Sequence, residues 1–161
     1  MSDLWATPQE LFRKLDKEFN FTLDVCANFD NHKCAGYYTP ELDGLSMNWV
    51  AHGHKSIWMN PPYGREIQKW MKKAHEASLH GTVVVALIPN RSNAPWWHDY
   101  VMKAAEIRFI KHKVAFDVPN PEQDKGVPFW GSVIVVFSPV PSYVAPRVSS
   151  YLQPKHEPNN R

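Results

Sequence analysis

Glycine is scarce in this chain, with seven in 161 residues. No Gly-x-Gly-x-x-Gly loop occurs, which weighs against a dinucleotide fingerprint. No Gly-x-x-x-x-Gly-Lys loop occurs either, which weighs against a P-loop nucleotidase. Cysteine is scarcer still. Cys26 and Cys34 are too few for a disulfide scaffold, and reduced thiols are expected. His32 lies between them, but zinc sites use closer cysteine pairs and four ligands, so no metal is expected. No apolar run approaches the roughly 20 residues that span a bilayer. The start, Met1-Ser2-Asp3-Leu4-Trp5, lacks the basic and apolar regions of a signal peptide, so a cytoplasmic protein is expected. Neither sign of charge dominates. A formal net charge of +2 suits a nucleic-acid partner without demanding one.

What is present is aromatic and proline-rich: seven tryptophans and 14 prolines, with 43% hydrophobic residues, enough to bury a core. The length suits one domain, and no internal repeat divides it. The most informative stretch is Ser56-Ile57-Trp58-Met59-Asn60-Pro61-Pro62-Tyr63-Gly64. It reads as a short buried strand that stops at a stiff turn. The two prolines fix φ, remove two N–H donors and push Asn60 out of the α region. The Asn60 amide, the Pro61 carbonyl and the Tyr63 ring are thereby held at a strand's carboxyl end, where open α/β sheets bind ligands.

Such a turn suits methyl transfer to an exocyclic or amide nitrogen. The lone pair of that nitrogen is delocalised into its π system. Acceptors on its N–H groups, here Asn60 Oδ1 and the Pro61 oxygen, pull the hydrogens out of plane and free the pair for attack. Tyr63 would stack on the ring carrying the nitrogen, a contact of about 1–3 kcal/mol for a nucleobase.

Along the rest of the chain, Thr7-Pro8-Gln9-Glu10 reads as a capped helix start, followed by Leu11, Phe12, Leu15 and Phe19 at helical spacing. Trp5 is either a staple against Leu11 or a wall for a ligand. Residues 21–25 read as a strand with Asp24 near its end, either a turn former or a partner for an ammonium or hydroxyl. Tyr37-Tyr38 reads as a short strand and Asp43-Gly44-Leu45-Ser46 as a turn. Residues 65–79 form a helix by spacing, and residues 82–88 a central parallel strand. A short helix is expected over 96–105, strands over 106–110 and 114–116, and a last strand over 132–137. After Ser138 five prolines mark an extended or disordered tail. The organisation is therefore a domain over 1–138 and a tail over 139–161. Alternating strands and helices predict an α/β fold with a parallel sheet.

Several ordered motifs carry a resemblance: Trp5-Ala6-Thr7-Pro8, Leu23-Asp24-Val25-Cys26-Ala27, Asp43-Gly44-Leu45-Ser46 with Trp49, Trp58 through Gly64, Leu87-Ile88-Pro89-Asn90-Arg91 with Trp96 and His98, and Ile107-Arg108-Phe109. In this order the chain resembles the phage and prophage family of DNA N6-adenine methyltransferases, the Dam-like type. The resemblance implies a compact, Rossmann-like S-adenosylmethionine-dependent methyltransferase sheet, mostly parallel with an antiparallel last strand. It implies S-adenosyl-L-methionine as cofactor, held by Trp5, Thr7, Asp24, Ala27 and Asp43, and a catalytic turn of Asn60, Pro61, Pro62 and Tyr63. DNA is the implied partner, with the target base flipped into the site. Arg65, Lys69, Arg91, Lys111, Lys113 and Lys125 are the candidate DNA-facing cations. DNA binding is expected to be electrostatic and only weakly sequence-selective; if methylation is confined to one short motif, loops 28–33 and 119–125 are the first places to look for base reading. Other acceptors are cytosine N4, an RNA base or a protein glutamine, and a rival of another class is an inactive DNA-binding or anti-restriction module.

Overall fold

The computed structural model describes residues 5–122, 126–140 and 146–154. Along the chain run α1 (Gln9–Phe19), β1 (Leu23–Asp24), β2 (Gly36–Tyr37), β3 (Ser56–Met59), α2 (Ile67–Leu79), β4 (Val83–Pro89), α3 (Pro95–Asp99), β5 (Glu106–Lys111), β6 (Ser132–Phe137) and β7 (Arg147–Leu152). The strands form one seven-stranded sheet in the order β2-β1-β3-β4-β6-β5-β7. β1 pairs in parallel with β2 and β3, β3 with β4, and β5 with β7. β6 runs antiparallel to both of its neighbours, β4 and β5. The fold is α/β with a mostly parallel, Rossmann-like sheet, as expected, although the antiparallel strand is followed by one more.

Successive side chains on a strand face opposite ways, and both faces here are covered. Ile57, Met59, Val84, Ala86 and Ile88 pack on one side with Ile67, Trp70, Met71 and Ala74 of α2. Trp58, Val85 and Leu87 pack on the other with Leu11, Phe12 and Leu15 of α1. This two-sided burial is why β3 and β4 are apolar at nearly every position, and each large side chain so buried contributes about 1.5–3 kcal/mol. α1 ends at Asn20, whose φ of 51° lets its N–H reach the Asp16 carbonyl. The Asp16 carboxylate then accepts the Phe21 N–H at 2.8 Å and turns the chain into β1.

Four expectations need correction. α1 begins one residue later than its motif suggests, with Pro8 at the N-cap and no side-chain cap. Thr7 is instead drawn into an extended segment, because Ala6 bridges Asp117 through bonds of 2.8 and 2.9 Å. Residues 114–116 lie outside the strands. Phe116 donates its N–H to Gly126 at 2.8 Å, and the Ala6 bridge at Asp117 takes the place of a ladder. The helix expected over 96–105 stops at Asp99, and a 3-10 turn at Val101–Lys103 follows. The stretch after Ser138 is not all tail, since β7 pairs with β5 over six residues. Residues 141–145 and 155–161 of that stretch, like Met1–Leu4 and residues 123–125, which include Lys125, lie outside the described residues. No described helix is long and apolar enough to cross a membrane.

Candidate functional site

From β1 the chain steps outward to β2, then returns to the other side of β1 as β3 and continues through β4. The carboxyl ends of β1 and β3 therefore flank a topological switch point, the usual binding crevice of such sheets. A cavity of about 570 Å³ opens there. It is lined by Trp5, Thr7, Asp24, Ala27, Asp43, Asn60, Pro61 and Pro62, which are eight of the nine residues assigned above to cofactor and catalysis. The ninth, Tyr63, lies outside it.

Asn60 follows β3 directly. Its Nδ2 donates to the Trp5 carbonyl at 3.4 Å. Its Oδ1 is buried and has no hydrogen-bond partner among the described residues. Thr7 Oγ1 is in the same condition. A buried polar oxygen without a partner costs about 1–3 kcal/mol, and both of these belong to residues that line the cavity.

Asp24 closes β1 at 2% exposure. Its Oδ1 accepts the Cys26 N–H at 3.2 Å and its Oδ2 the Lys33 N–H at 3.0 Å. These bonds favour the carboxylate, but burial outweighs them and pushes the Asp24 pKa up to about 6. Each oxygen still has a lone pair for a cation or hydroxyl from the cavity. Lys33 sits beside it, its Nζ bonded to Gln9 Oε1 at 3.0 Å, and burial lowers its pKa.

Asp43 and Gly44 also line the cavity. Asp43 adopts a φ of 50°, and the Ser46 N–H bonds its carbonyl at 2.8 Å, closing the expected turn. A Cβ on Gly44 would lie 2.4 Å from the Val25 carbonyl and 3.0 Å from the Trp70 ring. Only glycine permits this approach, and Trp49 Nε1 fixes it with a 2.7 Å bond to the Gly44 carbonyl.

Tyr63 lies beneath the turn. Its hydroxyl donates to the Leu87 carbonyl at 3.0 Å, and burial raises its pKa far above the ordinary phenol range. Its ring meets Phe116 edge-on at 6.3 Å and tilts 57° from Trp130 at 6.2 Å. The Arg91 guanidinium lies 5.2 Å from the Trp130 centroid.

None of the candidate cations among the described residues lines the cavity. Arg65 and Lys69 are exposed just past the turn, Lys69 in a 2.8 Å ion pair with Glu66. Arg91 follows β4. Lys111 ends β5 on the same sheet edge, and Lys113 follows. Gln153 Nε2 holds the Lys111 and Lys113 carbonyls at 3.3 and 3.1 Å. Among the described residues no cluster of His, Cys, Asp or Glu is placed to hold a metal ion, and both cysteines are free thiols.

Sequence reasoning missed Lys33, Tyr38, Glu66 and Trp70, which also line the cavity. Tyr38 had a readable signal, since its N–H bonds the Asp24 carbonyl at 2.9 Å as the next rung of the β1–β2 pairing. It missed Trp130 as well, which sits far along the chain in a proline-rich loop.

The family model for DNA N-6-adenine-methyltransferase (Dam) matches residues 1–157. The chain belongs to this family. It is 31% identical over 121 residues to the DNA N-6-adenine-methyltransferase of Escherichia phage T1, covering 74% of this chain and 50% of that one. It is 34% identical over 110 residues to the protein of the same name from Haemophilus phage HP1, strain HP1c1, covering 67% and 62%. The chain thus spans only part of the length of these relatives. The family match takes in β7, so that strand belongs to the matched region and is not an appendage to it.

Proposed function

We propose that this chain transfers a methyl group from S-adenosyl-L-methionine to the N6 amine of adenine in DNA. The observation that carries the reading is Asn60 Oδ1, a buried acceptor at the carboxyl end of β3 without a partner among the described residues. Family membership supplies the substrate class.

The residues present fit the cofactor. The cavity falls within the range of about 300–1,000 Å³ usual for small-molecule sites. Asp24 offers charge-assisted acceptors for an ammonium or a ribose hydroxyl, Thr7 an unpartnered hydroxyl, and Trp5 an aromatic wall. Ala27 and Asp43 complete the enclosure. When bound, S-adenosyl-L-methionine supplies a methyl sulfonium as electrophile.

Asn60 Oδ1 and the Pro61 carbonyl accept the two N–H groups of the target amine and draw its lone pair out of conjugation. No general base is needed for the attack, and Tyr63 is not one, since burial holds its proton in place. The target adenine reaches the turn only after flipping out of the duplex, at a cost of a few kcal/mol. The Tyr63 ring, held between Phe116 and Trp130, is assigned to stack on the flipped base. Arg65, Lys69, Arg91, Lys111 and Lys113 contact phosphates, so affinity falls steeply with salt.

The test is incubation with labelled S-adenosyl-L-methionine and unmethylated DNA, digestion, and identification of the labelled nucleoside by mass. N6-methyladenine is expected. Label in cytosine, in RNA or in protein glutamine would reassign the acceptor. Absence of both transfer and cofactor binding would favour an inactive module.

A further inference from the structure

Phe129 is the most exposed large apolar side chain among the described residues, at 97%. Its neighbours are not loose. Pro128 before it is buried, and Trp130 after it packs against the Tyr63 ring at 6.2 Å. The Gly131 carbonyl accepts the Asn90 N–H at 2.9 Å, which ties the loop to the end of β4. At the other end, the Gly126 carbonyl accepts the Phe116 N–H at 2.8 Å. Gly126 has a φ of +64°, and a Cβ there would lie 2.1 Å from the Phe116 carbonyl. The segment from Gly126 to Gly131 is thus clamped at both ends and holds one bare aromatic ring in solvent. It does so one residue from the Trp130–Tyr63 contact and beside Arg91.

Leaving a phenyl ring in water is unfavourable, and no contact among the described residues requires it. The proposed reaction does call for such a group at this place. Flipping a base empties one position in the stack, and proteins that distort DNA fill or open such steps with apolar wedges, phenylalanine among them. We propose that Phe129 is that wedge: it enters the duplex in the place of the flipped adenine while Arg91, against Trp130, grips the adjoining phosphate. This rests on the reading of the chain as a DNA adenine methyltransferase. It adds a residue that positions the substrate without touching the reacting atoms. Phe29, 77% exposed, is less suited, because its loop borders the cavity beside β1 and not the Tyr63 side of the turn.

The experiment compares methyl transfer to unmethylated duplex DNA with transfer to the same DNA as separated strands, which have no stack to fill. The proteins are wild type, Phe129→Ala and Phe129→Trp. The ratio of duplex to single-strand rate is expected to fall about 5- to 150-fold in Phe129→Ala, the worth of one stacked base, and to return in Phe129→Trp, which keeps a flat ring. Cofactor affinity, measured by calorimetry, is expected to stay the same in all three. A Phe129→Ala protein with the wild-type ratio overturns the wedge, as does a Phe129→Trp protein as impaired on duplex as Phe129→Ala. Wild type that methylates neither form of DNA sinks the underlying reading instead. Wild type active on DNA with an indifferent Phe129 sinks the wedge alone.

Discussion

The Tyr63 hydroxyl donates a 3.0 Å hydrogen bond to the carbonyl of Leu87, in the middle of β4. This bond ties the turn after β3 to the neighbouring strand from below and fixes the plane of the ring. Tyr63→Phe therefore loses one buried hydrogen bond, about 0.5–1.5 kcal/mol of stability. It keeps the ring that is proposed to stack on the base. Urea denaturation should show the loss, while methyl transfer stays close to wild type. Tyr63→Ala should lose about 1–3 kcal/mol of productive base binding as well. Equal inactivity of the two variants would give the hydroxyl a chemical role and remove the stacking assignment.

Asp24 gives a pH-dependent prediction. Its pKa rises from an ordinary 3.8 to about 6 in the folded protein, chiefly through burial. A group whose folded pKa is raised stabilises the fold while protonated. Its contribution is complete below 3.8 and is lost as pH climbs through about 6. The full swing is on the order of 3 kcal/mol. The stability difference between wild type and Asp24→Asn should move against wild type over that window and level off above it. S-adenosyl-L-methionine binding should go the other way, since the ionised carboxylate is the partner for an ammonium. Wild-type affinity should tighten as pH rises through this range, and that of Asp24→Asn should not. A pH-independent stability difference would mean Asp24 is not desolvated as described.

Arg108 joins three elements far from the cavity. It makes a forked pair with Glu18 of α1, at 2.7 and 2.6 Å, and bonds Glu106 on its own strand at 2.9 Å. Glu106 in turn accepts from Arg147 of β7 at 3.1 Å. Arg108 and Glu106 are each 8% exposed. Arg108→Met should cost about 3–5 kcal/mol, because it leaves the Glu106 carboxylate buried without its main partner. Glu18→Gln should cost roughly 0–1 kcal/mol, since the Glu18 side chain is 47% exposed and solvent can replace it. Replacing Arg108 and Glu106 together with apolar residues should recover most of the loss. Chemical denaturation of the set checks the order. Cofactor affinity should not follow it, and a parallel loss of affinity would show that β7 and α1 hold the cavity in shape.

The turn at Asn60 was legible because proline leaves so few backbone options. Three apolar residues, then Asn60 and two prolines, fix a strand end with little help from the rest of the fold. The cavity lining was legible residue by residue through motif order, down to Asp43 and Ala27. Glu66 and Trp70 were not, because a helix brings them round to the cavity, and helical spacing alone marks Trp70 only as core. Thr7 was misread as a cap. The pattern Thr-Pro-Gln-Glu satisfies the local rule for one, but a nonlocal bridge between Ala6 and Asp117 decides the backbone there. β7 was hidden for a similar reason. Its alternation is weak, with Tyr151 its single buried residue, and what holds it is pairing with β5 and the Arg147–Glu106 contact, neither visible in a proline-flanked sequence. Trp130 and Phe129 sit in a loop whose order comes from bonds to Phe116 and Asn90, so their place beside Tyr63 could not be read from spacing.

Asn60 offers the sharpest test of the chemistry, because its two side-chain atoms do different things. Nδ2 is occupied by the Trp5 carbonyl at 3.4 Å, while Oδ1 is buried and without a described partner. Asn60→Ala removes both. The lost acceptor should lower the rate of the chemical step by about 2–4 kcal/mol, by analogy with a lost oxyanion donor, and the Trp5 wall loses its tether. Asn60→Asp keeps an acceptor oxygen but replaces the donor with a second oxygen facing the Trp5 carbonyl. The fold should then turn the carboxylate or shift Trp5, so partial activity with weakened cofactor binding is expected. Asn60→Ser places a shorter hydroxyl at the same point and should lie between the other two. Single-turnover rates separate the chemical step from binding, and circular dichroism confirms the fold. Wild-type single-turnover rates in a folded Asn60→Ala protein would remove Asn60 from the mechanism and leave its unpartnered oxygen without an explanation.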